Sequence, residues 1–228
     1  MIRIIPQGLI ASDSHQFSLS RRRSRRSVER GLFPNWERSA YGQQGLQLRN
    51  ATRTSIAPTG TLSILAGTSA SIEPLFALAY RRHALDGQTL TELNPLFLRY
   101  AKQEEFYSNG IVRDMLAQGS LAGLEAVPQV AKDLFRTALE IAPEDHLRIQ
   151  AAFQRHTDNA VAKTVNMPQS ATIGEVAVVY RRAWELGLKG ITIYRYGSKR
   201  EQALQLGLGE TLEEREHFAR CDPHACKL

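Results

Sequence analysis

The chain has 228 residues, 43% of them hydrophobic, which is enough for one large domain or two small ones around a packed core. No apolar run approaches the roughly 20 residues that span a bilayer. The mildly apolar stretch from Ile2 to Ile10 is broken by Pro6 and Gly8 and carries no cleavage pattern, so the expected compartment is the cytoplasm, without a membrane partner. Two cysteines, Cys221 and Cys226, exclude the disulfide framework of a secreted domain.

The net charge of +6 is modest, and much of it sits in Arg21-Arg22-Arg23-Ser24-Arg25-Arg26. Residues 1–28 lack periodicity and are rich in Ser and Arg, so they read as a basic, disordered arm. The arm is either a solvated terminus or a surface for nucleic acid or an acidic partner, and the solvated reading is preferred.

From residue 52 the pattern alternates between extended and helical runs. Thr52 to Ile56 and Ser63 to Ala66 are expected strands. Asn94 to Tyr107 is an expected helix, with Leu96, Phe97, Tyr100 and Ala101 at helical spacing, and a shorter one runs from Gly110 to Gln118. Val130 to Glu140 is another, with Leu134, Phe135, Ala138 and Leu139 on one face. Pro143 suits a first helical position, with Glu144 and Asp145 near the positive end, and that helix carries Leu147, Ala151 and Phe153 towards His156.

Thr172 to Leu186 is the clearest helix. Thr172 and Glu175 make a capping box, and Ile173, Val176, Ala177, Tyr180, Ala183 and Trp184 form one apolar stripe. Gly187 fits the stop, and Ile191 to Tyr194 reads as a buried strand. Helix, glycine, loop and apolar strand in succession indicate an α/β fold with parallel pairing. Residues 206–228 read as a flexible tail.

The chemistry concentrates in two places. Ala57-Pro58-Thr59-Gly60-Thr61-Leu62-Ser63 brings backbone N–H groups and hydroxyls into one turn, as an anion site does, although such residues also build turns that bind nothing. Cys221-Asp222-Pro223-His224-Ala225-Cys226 offers two mobile thiols. Zinc on His217, Cys221, His224 and Cys226 is a further possibility, and two ordinary exposed cysteines another; no metal site is assigned. Surface or capping roles suit His83, His146 and His156, and Trp36 and Trp184 are expected core or interface aromatics.

Around the turn lie Arg49-Asn50-Ala51-Thr52-Arg53-Thr54-Ser55-Ile56, Ile64-Leu65-Ala66-Gly67 and Ser71-Ile72-Glu73-Pro74-Leu75-Phe76-Ala77. Leu85-Asp86-Gly87, Glu92-Leu93-Asn94-Pro95-Leu96-Phe97, Ile141-Ala142-Pro143-Glu144, His156 to Thr164 and Lys189 to Arg195 follow in order. Together these stretches resemble the catalytic barrel of ribonucleotide reductase, specifically the adenosylcobalamin-dependent class, over residues 29–205.

The resemblance implies the C-terminal part of a ten-stranded α/β barrel. It implies a ribonucleoside di- or triphosphate substrate, the diphosphate preferred, with Thr59, Gly60, Thr61, Leu62 and Ser63 holding its phosphates. Thr61 and Ser63 are the strongest candidates among them. It places Asn159 and Lys163 near the substrate or cobalamin pocket, where the alternative is a helix cap with a solvated lysine. Glu73 is either a buried carboxylate with a partner or a residue near the substrate.

The resemblance also makes Cys221 and Cys226 a tail dithiol that re-reduces the active site and is itself recharged by a thioredoxin-like reductant. The radical cysteine and the two reducing cysteines of the family lie upstream of the matched region, and no cysteine precedes Cys221. The isolated chain is therefore expected to be inactive and to expose core faces, and to need an N-terminal reductase chain carrying those cysteines. Thr68, Leu188 and Tyr196 depart from residues common in the family. A catalytically inactive nucleotide-binding remnant and an Arg-rich nucleic-acid binder are the alternatives.

Overall fold

The computed structural model describes residues 27–83, 89–198 and 204–207. The basic arm up to residue 26 lies outside them, as does the tail from residue 208 with His217, Cys221, His224 and Cys226.

Residues 27–30 are helical, and a 3-10 turn at Trp36–Arg38 and the one-turn helix α1 (Ala40–Gln43) follow. Next come α2 (Gly60–Ala66), the strands β1 (Ala79–His83) and β2 (Thr89–Leu93), α3 (Pro95–Gln103), α4 (Asn109–Gln118) and α5 (Gln129–Leu134). The chain continues through α6 (Pro143–Gln154), β3 (Thr164–Met167), α7 (Ile173–Glu185), β4 (Thr192–Arg195) and β5 (Leu204–Leu206).

The strands form two sheets. β1 is central in an antiparallel sheet of order β2-β1-β5, and β3 pairs in parallel with β4. Parallel neighbours need a crossover, and α7 supplies it. Helix and strand are thus mixed as expected, but the sheet containing β1 is antiparallel.

The first core gathers α3, α4 and the chain around β1. Asn94 accepts the Leu96 N–H at 2.9 Å and Pro95 takes the first helical position, so α3 starts there and buries Phe97, Leu98 and Ala101. In α4 the buried set is Ile111, Val112, Met115 and Leu116, the i, i+1, i+4, i+5 stripe of a half-buried helix. Phe97 meets Phe135 edge-on at 5.5 Å and Tyr100 meets Phe135 at 5.4 Å. Gly119 ends α4 at φ 76°, and a Cβ there would lie 2.7 Å from the Ala79 carbonyl, so only glycine lets β1 approach this closely.

The second core is the β3-α7-β4 unit with α6 behind it, built from Leu147, Val165, Met167, Ala171, Val179 and Ala183. The Thr172–Glu175 capping box is present, with Glu175 N–H on Thr172 Oγ1 at 3.2 Å and Thr172 N–H on the Glu175 carboxylate at 2.7 Å. Pro143 opens α6, and Gly187 takes φ 71° beyond α7. All three features follow local rules of helix ends.

Several expectations are corrected. Ser63 to Ala66 is not a strand but the body of α2, because the run bonds to itself; Ser63 N–H reaches Thr59 O at 2.9 Å. Thr52 to Ile56 makes one parallel bridge, Ile56 to Val161, rather than a strand. The helix expected up to Tyr107 stops at Gln103, since Glu105 turns to φ 59°. The helix expected from Val130 to Glu140 is two pieces, α5 and a 3-10 turn at Ala138–Glu140 that the Thr137–Glu140 capping box starts afresh. In the stripe of α7, Val176, Ala183 and the unexpected Val179 pack inward, whereas Ile173, Tyr180 and Trp184 are exposed, Trp184 by 79%. Trp184 is therefore no core aromatic. Trp36 is half-buried and donates to the Leu46 carbonyl at 2.7 Å.

This packing separates two residues that sequence alone puts on one helix. Thr172→Ala should lower unfolding free energy by about 1 kcal/mol through loss of the cap, while Trp184→Ala should change it by less than about 0.5 kcal/mol. Denaturant titration of the two variants measures this, and the reverse order contradicts the assignment of the buried face.

Candidate functional site

The turn at 57–63 leads into α2, and Thr59 is its N-cap at φ 53°. Ser63 N–H is the first to find an acceptor within the helix, which leaves the N–H groups of Gly60, Thr61 and Leu62 without one. Gly60, Thr61 and Leu62 are exposed, and nothing lies within 4 Å of a Cβ built on Gly60. The turn is thus open to solvent and carries the partial positive charge of a helix start.

The hydroxyls are not equivalent. Thr59 Oγ1 faces back and accepts the Ser71 N–H at 2.9 Å. Ser63 Oγ donates to the Gly60 carbonyl at 2.6 Å, which commits its proton to the helix. Thr61 keeps an exposed hydroxyl, so it is the best placed of the three to reach a ligand.

Two clamps hold this loop to one stretch, residues 158–164. On the approach side, the Asp158 carboxylate accepts the N–H of Arg53 at 2.8 Å and of Thr54 at 3.2 Å, with the Arg53 guanidinium 3.6 Å away. Thr54 Oγ1 accepts the Asp158 N–H at 2.8 Å in return. Asn159 N–H then bonds Thr54 O at 3.1 Å and Ala162 N–H bonds Ile56 O at 2.9 Å. Burial alone would raise the Asp158 pKa, but the Arg53 N–H, the Arg53 charge and the Thr54 donors outweigh it and hold the carboxyl below its ordinary range.

On the departure side, Glu73 Oε2 meets Lys163 Nζ at 2.7 Å, and Glu73 Oε1 accepts the Thr164 N–H. Lys163 also donates to the Thr164 carbonyl and to His146 Nδ1, each at 2.8 Å, which uses all three ammonium protons. His146 Nε2–H in turn donates to the Ala138 carbonyl at 2.9 Å. Glu73 is therefore a carboxylate with a partner, and Lys163 is buried rather than solvated.

His146 is 1% exposed, so the expected surface or capping role is overturned; its ring is the floor of this cluster. Burial, then the Lys163 charge, push its pKa below the ordinary value, so the imidazole is neutral with its proton on Nε2. Burial likewise lowers Lys163, with Glu73 opposing. His156 is exposed as expected; the side chain of His83 lies outside the described residues.

Sequence reading missed the polar ladder of α6. His146, Gln150 and Gln154 are all buried at helical spacing. Gln150 Nε2 donates to the Val161 and Gly190 carbonyls at 2.9 and 2.8 Å, and Gln154 Nε2 to Thr157 and Asn159 at 3.1 and 2.9 Å. The i, i+4, i+8 spacing of His146, Gln150 and Gln154 beside Leu147 and Ala151 was the available signal. Asn159 itself is exposed, with its backbone paired on both sides. Among the described residues no group of three His, Cys, Asp or Glu is set to hold a metal.

An open helix start, fastened at both ends to a parallel β-unit, sits within a mixed helix and strand fold. The family model for the ribonucleotide reductase barrel domain matches residues 16–194. The vitamin B12-dependent ribonucleoside-diphosphate reductase of Thermoplasma acidophilum is 47% identical over 188 residues, 82% of this chain and 24% of that protein. The enzyme of the same name from Mycobacterium tuberculosis is 43% identical over 207 residues, 90% of this chain and 29% of its own length. The alpha subunit of the Actinobacillus ureae class Id ribonucleotide reductase superposes with a TM-score of 0.62 at 23% identity, covering 80% of this chain and 32% of that one, and so shares the fold. The chain belongs to the ribonucleotide reductase barrel-domain family. It spans roughly a quarter of the length of these curated relatives.

The two clamps give a pH dependence with a definite sign. The His146 pKa is lower folded than its ordinary 6.5, so the unfolded chain takes up the proton first. Its contribution is complete above pH 6.5 and falls as pH drops below that value. The Asp158 contribution is present above 3.8 and is lost as pH falls through the lower folded value. Denaturation of the parent chain should show stability declining from pH 7.5 to 5.5, and His146→Gln should flatten that slope; an unchanged slope contradicts the buried neutral imidazole.

Proposed function

We infer that this chain forms the phosphate-holding portion of an adenosylcobalamin-dependent ribonucleoside-diphosphate reductase, converting ribonucleotides to deoxyribonucleotides for DNA synthesis. The observation that carries this is the open first turn of α2 within a member of the family. A diphosphate would dock on the N–H groups of Gly60, Thr61 and Leu62 and on the Thr61 hydroxyl, with the helix dipole favouring its charge. Ser63 and Thr59 shape the turn by their internal hydrogen bonds. The B12-dependent diphosphate reductases among its relatives support both the cofactor and the preference for a diphosphate.

The parallel β3-α7-β4 unit is read as part of a ten-stranded α/β barrel whose other strands come from elsewhere. The exposed Leu62, Leu65, Ile173, Tyr180 and Trp184 support faces that further barrel elements cover. The radical and reducing cysteines are proposed to come from an N-terminal reductase portion, as the family resemblance implies. Cys221 and Cys226 would serve as the shuttle. One tail thiolate attacks that portion's active-site disulfide, the other resolves the mixed disulfide, and a thioredoxin-like dithiol takes over the resulting tail disulfide.

Adenosylcobalamin would bind to the assembled enzyme. The described residues do not fit cobalt ligation: His146 is spent on Lys163 and Ala138, and no ligand cluster is present among them. No step is therefore assigned to this chain's residues through the cobalt. The assembled enzyme is expected to work in the cytoplasm.

Mixing this chain with the N-terminal portion of the Thermoplasma acidophilum relative tests the reading. Deoxynucleotide formation that needs both chains and adenosylcobalamin is expected. Gly60→Asp should abolish it while leaving the fold intact, since the position is open and an acidic first turn favours a helix start. Full activity of Gly60→Asp, or nucleotide binding with no activity from the parent mixture, contradicts the enzyme reading.

A further inference from the structure

Lys163, Glu73 and His146 form a closed set of partners in which one member keeps its place only while it is uncharged. Lys163 Nζ donates to Glu73 Oε2 at 2.7 Å, and to the Thr164 carbonyl and His146 Nδ1, each at 2.8 Å. The other ring nitrogen, Nε2, donates to the Ala138 carbonyl at 2.9 Å. The ring is 1% exposed, so both nitrogens are committed to protein groups. A second ring proton would turn Nδ1 from an acceptor into a donor aimed at an ammonium. It would also add a positive charge to a cluster in which one carboxylate and one ammonium balance.

The neighbouring charges are already engaged. Asp145, next to His146 on α6, is half exposed and lies 3.9 Å from Arg148. Glu140 of the 3-10 turn accepts from the Thr137 N–H and hydroxyl. The charge that α7 brings to α6 is Arg182, which Glu144 holds. The chain entering β3 brings Lys163 itself. From the segment before β1 comes Glu73, shared between Lys163 and the Thr164 N–H.

The three members are not equally free to move. His146 lies on α6 beside the buried Leu147, and Lys163 runs into β3, where Val165 is fully buried. The Glu73 side chain keeps 23% of its surface exposed. Behind it, Glu73 N–H bonds Ala70 O and Ser71 N–H bonds Thr59 Oγ1, both at 2.9 Å, and α2 contains no buried residue. The Glu73 side is therefore the part that opens to water at least cost.

We propose that His146, Lys163 and Glu73 form an acid-sensitive latch: a proton on His146 breaks its bond to Lys163 and frees residues 59–73, α2 included, while both cores stay folded. The direction follows from linkage. Burial, then the Lys163 charge, hold the closed ring below its ordinary 6.5, whereas opening returns the ring to that value. Acid below 6.5 thus favours the open form. Asp158, held below 3.8, stays ionised there and keeps Arg53 and Thr54 fastened. The opening is local and precedes acid unfolding of the whole chain.

Amide hydrogen exchange of the full 228-residue chain tests this, at about pH 7.5 and about pH 5.5, each corrected for the intrinsic exchange rate. Protection of the Thr164 and Ser71 amides should fall roughly five- to tenfold at the lower pH. Protection of Val179 in α7 and Met115 in α4 should change by less than about twofold. In His146→Gln, which has no ring to protonate, the fall at Thr164 and Ser71 should shrink to within about twofold.

An equal fall at all four amides reports global destabilisation and overturns the latch. So does unchanged protection at Thr164 and Ser71, or a His146→Gln protein that keeps the parent's pH response. If His146→Gln does not fold, the parent decides the matter alone, by whether Thr164 and Ser71 lose protection ahead of Val179 and Met115.

Discussion

Two carboxylates on opposite flanks of one loop carry the local architecture. Asp158 grips the backbone of Arg53 and Thr54, and Glu73 grips Lys163 and the Thr164 backbone. Everything between residues 54 and 73, including α2, is thereby held against the stretch that becomes β3. Each contact joins residues about ninety to a hundred positions apart, for example 105 between Arg53 and Asp158 and 90 between Lys163 and Glu73. A helix as short as Gly60–Ala66, exposed along most of its length, has little apolar burial to hold it in place. Its placement depends on those anchors.

The cluster beneath the loop explains why a cation is tolerated in the interior. A buried lysine is expensive unless paired and fully hydrogen-bonded. Here the ammonium has a carboxylate, an imidazole nitrogen and a carbonyl. The imidazole accepts only because it is neutral, and it is neutral because burial and the adjacent ammonium both disfavour its protonation. The same helix, α6, sends Gln150 and Gln154 to carbonyls of residues 157–161 and 190. One helix face therefore satisfies backbone groups at the ends of the parallel sheet while also setting the floor of the clamp.

How much was legible depended on the range of the interaction. Pro143 and the Thr172–Glu175 box act within one turn, so helix starts could be read directly and were found where expected. The family could be read because its short stretches recur in order along the chain, and the matched domain bears it out. Ser63-Ile64-Leu65-Ala66 reads as a strand in the sequence because a short apolar run has no period to separate strand from helix. No neighbouring strand pairs with it, and its backbone closes on itself. The stripe on α7 was visible, but which side met the core was not, since Val179 and Ala183 face β3 and β4 while Tyr180 and Trp184 face out. The surface role expected of His146 and the solvated alternative for Lys163 fail for the same reason: the partners of both are set by tertiary contacts that no local spacing reports. The turn is open at Gly60; Ser63 commits its hydroxyl proton to the Gly60 carbonyl, whereas Thr59 only accepts, from the Ser71 N–H, and Thr61 is exposed.

The central claim is that the first turn of α2 receives the phosphates of a nucleotide. Its most direct test is a backbone amide NMR titration of the whole chain with a ribonucleoside diphosphate and, separately, with the corresponding unphosphorylated nucleoside. The account predicts shifts concentrated at Gly60, Thr61 and Leu62 with the diphosphate and absent with the nucleoside. Equal responses to both ligands, or shifts that leave these three amides unmoved, would contradict it.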